Sequence, residues 1–332
     1  MKTSDFNYNL TEDKIAQEPM VPRDSCKLLI LNNGKIEDKH FYDIIDYLNP
    51  GDLLVANKTR VIPARLQGHK RDTGGAAEIL LLNQEDDIWE ALVKPGKRLK
   101  PGAIVDFEPG YYAEIIDFTN RGTRKVKLYG EDLVHHVGKT PLPPYIHGYS
   151  GNMEMYQTVY SECESSAAAP TAGLHFTDEL IEKIKSKGIN FETVELEVGI
   201  DTFKPVTEDN PEDHVIHTEK FSISQKTIDK INQTKTNGNR VIAVGTTSVR
   251  TLETVYSSEV KPYKRAQTSL FILPGYKFKI IDAMITNFHV PQSTLMMLVS
   301  AFAGRNNIMH AYQHALNTDY RFLSFGDAMF IV

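Results

Sequence analysis

Three residues in the stretch HVIHTE, namely His214, His217 and Glu219, could transfer protons or hold a metal ion. An imidazole has an unperturbed pKa near ~6.5, so it can give or take a proton at neutral pH. On a helix, histidines three residues apart would share one face, as a metal site needs. However, Pro205 and Pro211 precede them and indicate a loop, and the sequence contains no HExxH motif. The stretch therefore favours histidines that act as acids, bases or substrate donors over metal ligands.

A second candidate is His175, which comes near the end of the stretch SSAAAPTAGLHFT at residues 165–177. Apart from its last residues, this stretch carries only small side chains. Small residues let two elements pack closely, and they also let backbone amides line a pocket with His175 at its rim. The stretch alone leaves both interpretations open.

The segment VIAVGTTSVR has the pattern of a strand that runs into a helix. The strand ends at Gly245, and Thr246 and Thr247 begin a helix whose first N–H groups can bind an anion, with Arg250 one turn further on. Ordinary helix capping explains the same hydroxyl residues. The segment is neither a Walker loop nor a Rossmann fingerprint, so it predicts an anion site without naming the ligand.

A second junction of this kind lies in ITNFHVPQSTL. A strand ends near Asn287 and His289, and Ser293 can cap the helix that follows. Open α/β sheets bind ligands at the carboxyl ends of their strands. A second small ligand site is therefore plausible here.

These junctions require an α/β layer, and the chain from residue 177 onward alternates strands with helices. Thr177 can cap a helix, and Gly238 can close another. The predicted strands are FETVELEV, RVIAVG and AMITNF, with GDLLVAN before them, and the predicted helices are SQKTIDKINQTKTNG, TTSVRTLETVY and STLMMLVSAFAG. The predicted fold is an α/β main domain formed by residues 1–60 and 151–332.

Between these two parts the pattern changes to short strands separated by Gly, Pro, Asn and Asp. The predicted strands are ARLQGHK, AAEILLLNQ, IWEALVK, AIVDFEP, YYAEIIDFT and TRKVKLYG, followed by the linker TPLPPYIHGYSGN. Short strands at this spacing are typical of a small antiparallel β-barrel. Residues 61–150 are therefore predicted to form an inserted barrel domain with its linker.

Charge is spread unevenly over the 332 residues, whose net charge is -6. Between Lys58 and Lys127 there are 13 Lys and Arg against 10 Asp and Glu, so this stretch is net positive. Its basic clusters KPGKRLKPG and NRGTRKVK could be solvated turns or could contact a phosphate backbone. The candidate contacts to RNA are Lys94, Lys97, Arg98, Lys100 and Arg124.

Composition narrows the class of protein further. Cys26 and Cys163 are the only cysteines, so neither a disulfide framework nor a four-cysteine zinc site can form. No apolar run reaches the ~18 residues of a membrane helix, and the first ten residues lack the apolar core of a signal peptide. We therefore expect a cytoplasmic protein with no membrane contact.

Together, the motifs resemble those of the S-adenosylmethionine:tRNA ribosyltransferase-isomerase family of queuosine biosynthesis. The similarity runs almost end to end, and the order and spacing of the motifs make it specific. It includes FNYNLTEDKIAQEP, RDS, LLVANKTRVIPARL, YQTVYS, AAAPTAGLHFT, TFKPV, HVIHTE, VGTTSVRTLE, FILPGYKFKIIDAMITNFHVPQSTLMMLVSAFAG and YRFLSFGDAMFI. Two residues depart from the family pattern, Asp201 in place of glycine and Ser269 in place of an acidic or amide residue.

The resemblance implies a reaction and its partners. The ribosyl unit of S-adenosylmethionine is transferred and isomerised onto the 7-aminomethyl-7-deazaguanine of tRNA, giving epoxyqueuosine, adenine and methionine. S-adenosylmethionine is then a co-substrate, and no prosthetic group or metal is expected. The expected macromolecular partner is the anticodon stem-loop of tRNA, and the protein is expected to be a monomer. Two alternatives stay open: an RNA-binding module without catalysis, and a metal-dependent hydrolase using the residues of HVIHTE.

The resemblance also implies roles for residues within the matching motifs. It does not identify the general base, nor which pocket holds adenine and which the deazaguanine. The candidate catalytic residues are His175, His214, His217 and Glu219, and the candidate substrate-binding residues are Arg60, Arg65, Tyr156, Gln157, Thr171, Gly173, Thr202, Gly245, Thr246, Thr247, Arg250, Asn287 and His289.

Overall fold

The computed structural model describes residues 1–120, 122–199, 205–258 and 260–332. These residues form two compact units. The larger unit comprises Met1–Arg60, Pro143–Cys163 and Ala169–Val332, and the smaller one comprises Val61–Leu142 and Glu164–Ala168. Residues 143–150 thus belong to the larger unit and residues 164–168 to the smaller, the reverse of the domain bounds predicted from the sequence.

The strands alternate with helices in the larger unit and follow one another in the smaller. In chain order the strands are β1 (Lys27–Asn32), β2 (Lys35–His40), β3 (Leu53–Asn57), β4 (Thr59–Val61), β5 (Arg65–Lys70), β6 (Ala76–Glu85), β7 (Ile88–Lys94), β8 (Ile104–Glu108), β9 (Tyr111–Phe118), β10 (Arg124–Tyr129), β11 (Gly138–Lys139), β12 (Cys163–Ser166), β13 (Asn190–Leu196), β14 (Glu219–Ile223), β15 (Val241–Val244), β16 (Tyr263–Thr268), β17 (Ala283–Asn287) and β18 (Ala328–Ile331). The α-helices are α1 (Leu133–Val137), α2 (Asp178–Ser186), α3 (Gln225–Thr236), α4 (Thr246–Ser257), α5 (Thr294–Ala303) and α6 (Arg305–Asn317).

The larger unit is built on one mixed sheet of nine strands in the order β16-β14-β13-β3-β15-β17-β18-β1-β2. Strands β13, β3, β15 and β17 are parallel neighbours at its centre. The outer pairs β13 with β14 and β17 with β18 are antiparallel. Strands β3, β15 and β17 are fully buried, as is typical of parallel strands covered on both faces, whereas β13 is mostly half-buried. The predicted α/β main domain is confirmed.

Local sequence explains where the helices of this unit begin. The Thr177 hydroxyl accepts a hydrogen bond from the amide of Leu180 at 3.1 Å and so caps α2. Ser293 caps α5 in the same way, accepting from the amide of Met296 at 3.2 Å. Helix α4 differs, because its N-cap is Gly245 and no side chain caps it. Its first N–H groups are therefore left for another partner.

The smaller unit is a closed antiparallel barrel. Strands β5, β6, β7, β10, β9 and β8 pair in that order, and β8 pairs back with β5, which closes a six-stranded ring. Alternate residues point inward to a core that includes Leu66, Ile79 and Val126, each with no exposed surface. The predicted inserted barrel is confirmed, and all six of its predicted strands are present.

Across the described ranges, no helix combines the length and the hydrophobicity that crossing a bilayer requires.

Candidate active site

The two predicted strand–helix junctions meet in a single cleft of the larger unit. Strands β15 and β17 are parallel neighbours, so their carboxyl ends lie at the same edge of the sheet. A cleft of about 580 Å³ opens there. Six of the predicted substrate-binding residues line it: Thr171, Gly245, Thr246, Thr247, Asn287 and His289. The structure therefore places in one site what the sequence predicts as two.

The uncapped end of α4 forms one wall of this cleft. Gly245 has a φ of 87°, a left-handed conformation that favours glycine, and its amide donates to the carbonyl of Ile285 at 2.8 Å. Thr246 and Thr247 are 7% and 8% exposed. The Thr247 hydroxyl is buried and has no hydrogen-bond partner among the described residues. A buried hydroxyl without a partner costs stability unless a ligand satisfies it, so this wall has the character of a binding surface.

The small-residue stretch serves both purposes that its sequence suggests. Residues 169–172 line the cleft, so their small side chains let a ligand approach the backbone. Glycine occurs at position 173 for a different reason, which is close packing against neighbouring side chains. A Cβ atom there would lie 2.0 Å from the hydroxyl oxygen of Tyr160 and 2.8 Å from Cγ2 of Thr158. Only glycine fits at that position.

His175 does not reach the cleft surface but lies behind Asn287. It is 4% exposed, and its Nδ1 is 3.2 Å from the Sγ atom of Cys26. Its Nε2 is 3.1 Å from the Nδ2 atom of Asn287. Burial, with a smaller contribution from the charge of Arg321, lowers the pKa of His175 to about 3. The ring is therefore neutral at physiological pH, and both of its nitrogens are engaged.

His289 is the imidazole that does line the cleft. Its Nε2 is 3.0 Å from the hydroxyl of Thr286, and its Nδ1 is 3.3 Å from the hydroxyl of Tyr312. Burial lowers the pKa of His289 to about 3, so this ring is also neutral at physiological pH. It can offer or accept a hydrogen bond but does not carry charge.

A buried ion pair lies beside the cleft, one turn into α4. Arg250 and Glu219 pair through Nη1 and Oε2, with side chains 6% and 2% exposed. The second carboxylate oxygen of Glu219 is 3.1 Å from Nε2 of His217 and accepts from the amide of Gly199 at 3.2 Å. Val198, the chain neighbour of Gly199, lines the cleft, whereas Arg250, Glu219 and His217 do not.

The other predicted residues lie outside the lining of the cleft. His214 belongs to a separate pair, with Nδ1 3.0 Å from Oε2 of Glu208, so the helical face suggested by its spacing from His217 does not form. Arg60 pairs with Glu154, and Tyr156 is fully buried. Gln157 is 5% exposed and Arg65 belongs to the barrel. Thr202 falls outside the described residues, as does Asp201.

The basic residues of the barrel are of two kinds. Lys94, Lys97, Arg98 and Lys100 are exposed. Arg124 is 7% exposed, and its guanidinium donates to the carbonyls of Leu99 and Gly96 at 2.8 and 2.7 Å. Arg124 therefore holds the turn that carries Lys97, Arg98 and Lys100, and it does not belong to the exposed basic surface. Its contact with RNA stays a prediction, and the structure shows these donors engaged by carbonyl groups inside the protein.

Several cleft residues are absent from the sequence-based set. They come from segments far apart in the chain, and only their position in the fold brings them together. They include Tyr145, Val198, Thr286, Leu323 and Ser324. Thr286 could have been found beside Asn287, but nothing in the sequence signals the contribution of Tyr145 or Leu323.

The mixed sheet, the inserted barrel and the polar cleft define an α/β protein with a barrel insertion. A model of the family described as queuosine biosynthesis protein matches residues 3–331. The chain belongs to this family, and the resemblance inferred from its motifs is confirmed.

Two relatives and a solved structure carry the same name in nearly the same words. The chain is 52% identical over 339 residues to the S-adenosylmethionine:tRNA ribosyltransferase-isomerase of Finegoldia magna, covering 100% of this chain and 98% of the relative. It is 51% identical over 340 residues to that of Clostridioides difficile, covering 100% of both. A crystal structure of S-adenosylmethionine tRNA ribosyltransferase from Thermotoga maritima is 40% identical with a TM-score of 0.59, covering 99% of this chain and 100% of that one.

Proposed function

We propose that this chain is a transferase that moves the ribosyl moiety of S-adenosylmethionine onto the 7-aminomethyl-7-deazaguanine of tRNA and isomerises it. The observation that carries the proposal is the cleft, whose buried Thr247 hydroxyl and Asn287 Oδ1 await a polar ligand. The family match over residues 3–331 supplies the class of that ligand. Neither a hydrolase nor an RNA-binding module is favoured by the relatives.

The substrate itself supplies the driving force. Its sulfonium acidifies the neighbouring methylene, so a positioned base can remove a proton and start elimination of adenine. The amine of the tRNA base then attacks, and closure of the epoxide expels methionine. S-adenosylmethionine is thus a co-substrate, and the protein must provide proton transfer and exclude water.

Of the predicted catalytic residues, His217 is best placed to accept a proton. Glu219 is held as a carboxylate by Arg250, so the His217 Nε2 must donate to it. A lone pair of the imidazole is then on Nδ1, as in sites where a carboxylate orients a catalytic histidine. The side chain is 18% exposed, so it can meet a substrate. We assign His217 as the base, with Glu219 and Arg250 as the groups that orient it.

The test is incubation of the purified protein with S-adenosylmethionine and tRNA that carries the aminomethyl-deazaguanine. We expect adenine and methionine in equal amounts, and only when the modified tRNA is present. His217→Ala should lower turnover by about 10²–10⁴-fold while the protein stays folded. His310→Ala, an exposed histidine on α6, is the matched control and should change little. Methylated RNA as the product, or full activity of His217→Ala, would contradict the assignment.

The finer parts of the proposal concern the setting of the reaction. We infer that the anticodon stem-loop is the part of tRNA that binds, that the protein acts as a monomer, and that it works in the cytoplasm. A composition with two cysteines, Cys26 buried and Cys163 half-buried, suits a reducing compartment. A minimal stem-loop that fails to replace tRNA in the assay, or a dimer by light scattering, would contradict the first two points.

A further inference from the structure

The side-chain amide of Asn287 is fixed by two contacts and leaves one atom unused. Its Nδ2 donates to the carbonyl of Leu323 at 3.1 Å and lies 3.1 Å from Nε2 of His175. Its Oδ1 is buried and has no partner among the described residues. Asn287 is 4% exposed and lines the cleft. The unused oxygen is therefore a hydrogen-bond acceptor at the ligand site.

The hydrogen-bond network also decides which nitrogen of His175 carries the proton. The Leu323 carbonyl can only accept, so the NH₂ group of Asn287 must face it and the same NH₂ group faces His175. Nε2 of His175 must then be the acceptor, and its proton lies on Nδ1, which donates to Sγ of Cys26. Burial raises the pKa of the Cys26 thiol, which keeps this sulfur uncharged.

This arrangement excludes His175 as a proton shuttle at the reacting atoms. The lone pair on Nε2 already accepts a hydrogen bond from Asn287. If Nε2 were protonated, its N–H group would face the NH₂ group of Asn287, and two donors would lie in contact. The ring also packs against Phe41, with centroids 5.1 Å apart, which fixes its plane. The ring can instead hold the side-chain amide of Asn287 in one of its two orientations, which differ by the exchange of Oδ1 and Nδ2.

We propose that His175 is a positioning residue that holds Asn287 so that its Oδ1 accepts a hydrogen bond from an N–H group of bound S-adenosylmethionine. The inference rests on the proposed function only for the identity of this ligand. S-adenosylmethionine carries such donors on its adenine and on its ammonium group. It also carries a carboxylate, which suits the uncapped start of α4, whose first residues also line the cleft. The aminomethyl-deazaguanine is the other source of an N–H donor, so the binding of both substrates is measured.

Two variants of His175 separate positioning from proton transfer. In His175→Gln, the side-chain amide reaches the place of Nε2 and its oxygen can accept from Asn287. In His175→Asn, the shorter amide reaches only the place of Nδ1, so Asn287 loses its partner. The dissociation constant for S-adenosylmethionine is measured by calorimetry, alongside kcat, both KM values and the melting temperature.

We expect His175→Asn to weaken binding of S-adenosylmethionine about tenfold or more, since one buried hydrogen bond to the ligand is lost. His175→Gln should recover most of that loss and keep the pH profile of kcat/KM of the wild type. The effect of His175→Asn should largely vanish in an Asn287→Ala background, because the residue acts through Asn287. The KM for tRNA should change little in all of them.

Other outcomes overturn the inference. Equal loss of kcat by about 100-fold in both variants would identify His175 as a proton shuttle. Additive effects with Asn287→Ala, or a rise confined to the KM for tRNA, would show that Asn287 does not bind S-adenosylmethionine through this contact. If His175→Asn fails to fold, the kcat of His175→Gln alone decides between positioning and proton transfer, because only a proton shuttle would lose about 100-fold in this variant. Wild-type protein that binds S-adenosylmethionine but releases no adenine would contradict the proposed function instead.

Discussion

At the scale of single residues, the buried polar groups of the site are of two kinds. Some are hydrogen-bonded within the protein, and others have no partner there and can bind a ligand. Glu219 is satisfied by Arg250, His217 and the amide of Gly199. The hydroxyl of Thr247 and Oδ1 of Asn287 have no partner among the described residues. Substitutions at the first kind should act on folding as well as on activity, and those at the second kind should act on binding.

The ion pair of Arg250 and Glu219 gives the first prediction on stability. Replacing Glu219 by Gln leaves the Arg250 charge buried without its counter-ion, so we expect a loss of about 3–5 kcal/mol in the free energy of unfolding. Urea unfolding followed by circular dichroism at pH 7 measures it. The double variant Glu219→Leu with Arg250→Met should recover part of the loss. A change in Glu219→Gln below about 0.5 kcal/mol would show that the pair does not act as a buried ion pair.

The same pair sets a pH dependence. Burial alone would raise the pKa of Glu219, but the charge of Arg250 and then the hydrogen bond from His217 outweigh it and hold the pKa below 4.5. A carboxyl whose folded pKa is lowered stabilises the protein fully above its unfolded pKa, and this contribution is lost as the pH falls through the folded value. The wild type should therefore lose stability below about pH 4.5 more steeply than Glu219→Gln.

At the scale of elements, the hydroxyl groups in the first turns of the helices are also of two kinds, those that cap their own helix and those without a partner. The hydroxyl of Thr177 caps its own helix, α2, whereas the hydroxyl of Thr247 in α4 has no hydrogen-bond partner among the described residues. A side chain that caps a helix contributes to folding. An unsatisfied hydroxyl in a cleft costs stability and is retained for the ligand.

Two substitutions should therefore have opposite effects. Thr177→Ala should lower the free energy of unfolding by about 1 kcal/mol and leave the binding of S-adenosylmethionine unchanged. Thr247→Val removes the unpaired hydroxyl but keeps the shape of the side chain. It should leave stability unchanged or raised and weaken S-adenosylmethionine binding several-fold. Thermal unfolding and calorimetry on the same preparations test both. If Thr247→Val binds as tightly as the wild type, this wall of the cleft does not contact the ligand.

Sequence patterns predict the elements of this fold better than they predict its site. Buried runs such as VIAV and the barrel segments specify their strands locally, because the alternation of side chains and the turn residues lie within each segment. The hairpin of β1 and β2 has a clear turn signal in Asn33-Gly34, which the sequence-based prediction missed, whereas no local signal predicts the pairing of the last strand β18. The cleft depends on that pairing, since Leu323 reaches Asn287 only when β18 returns beside β17. The role of His175 behind Asn287, rather than at the rim, follows from the same long-range packing.

At the scale of the whole molecule, basic residues are concentrated in one stretch of the chain. The stretch from Lys58 to Lys127, which includes most of the barrel, is net positive within a chain of net charge -6. The turn that follows β7 presents Lys97 and Arg98 to solvent, and Arg124 fixes that turn from beneath through the carbonyls of Gly96 and Leu99. A fixed, exposed basic turn is suited to a phosphate backbone.

The double variant Lys97→Glu with Arg98→Glu tests whether this turn holds tRNA. We expect the KM for tRNA to rise several-fold while the KM for S-adenosylmethionine stays the same, because only a phosphate contact is lost. Each lost contact should also reduce the slope of log affinity against log salt by roughly 0.7–0.9. The matched control is Lys183→Glu with Lys185→Glu on α2, which makes the same change of charge at exposed positions of the larger unit. If both double variants change the KM for tRNA equally, net charge alone explains the effect, and if neither does, the tRNA is held by other residues.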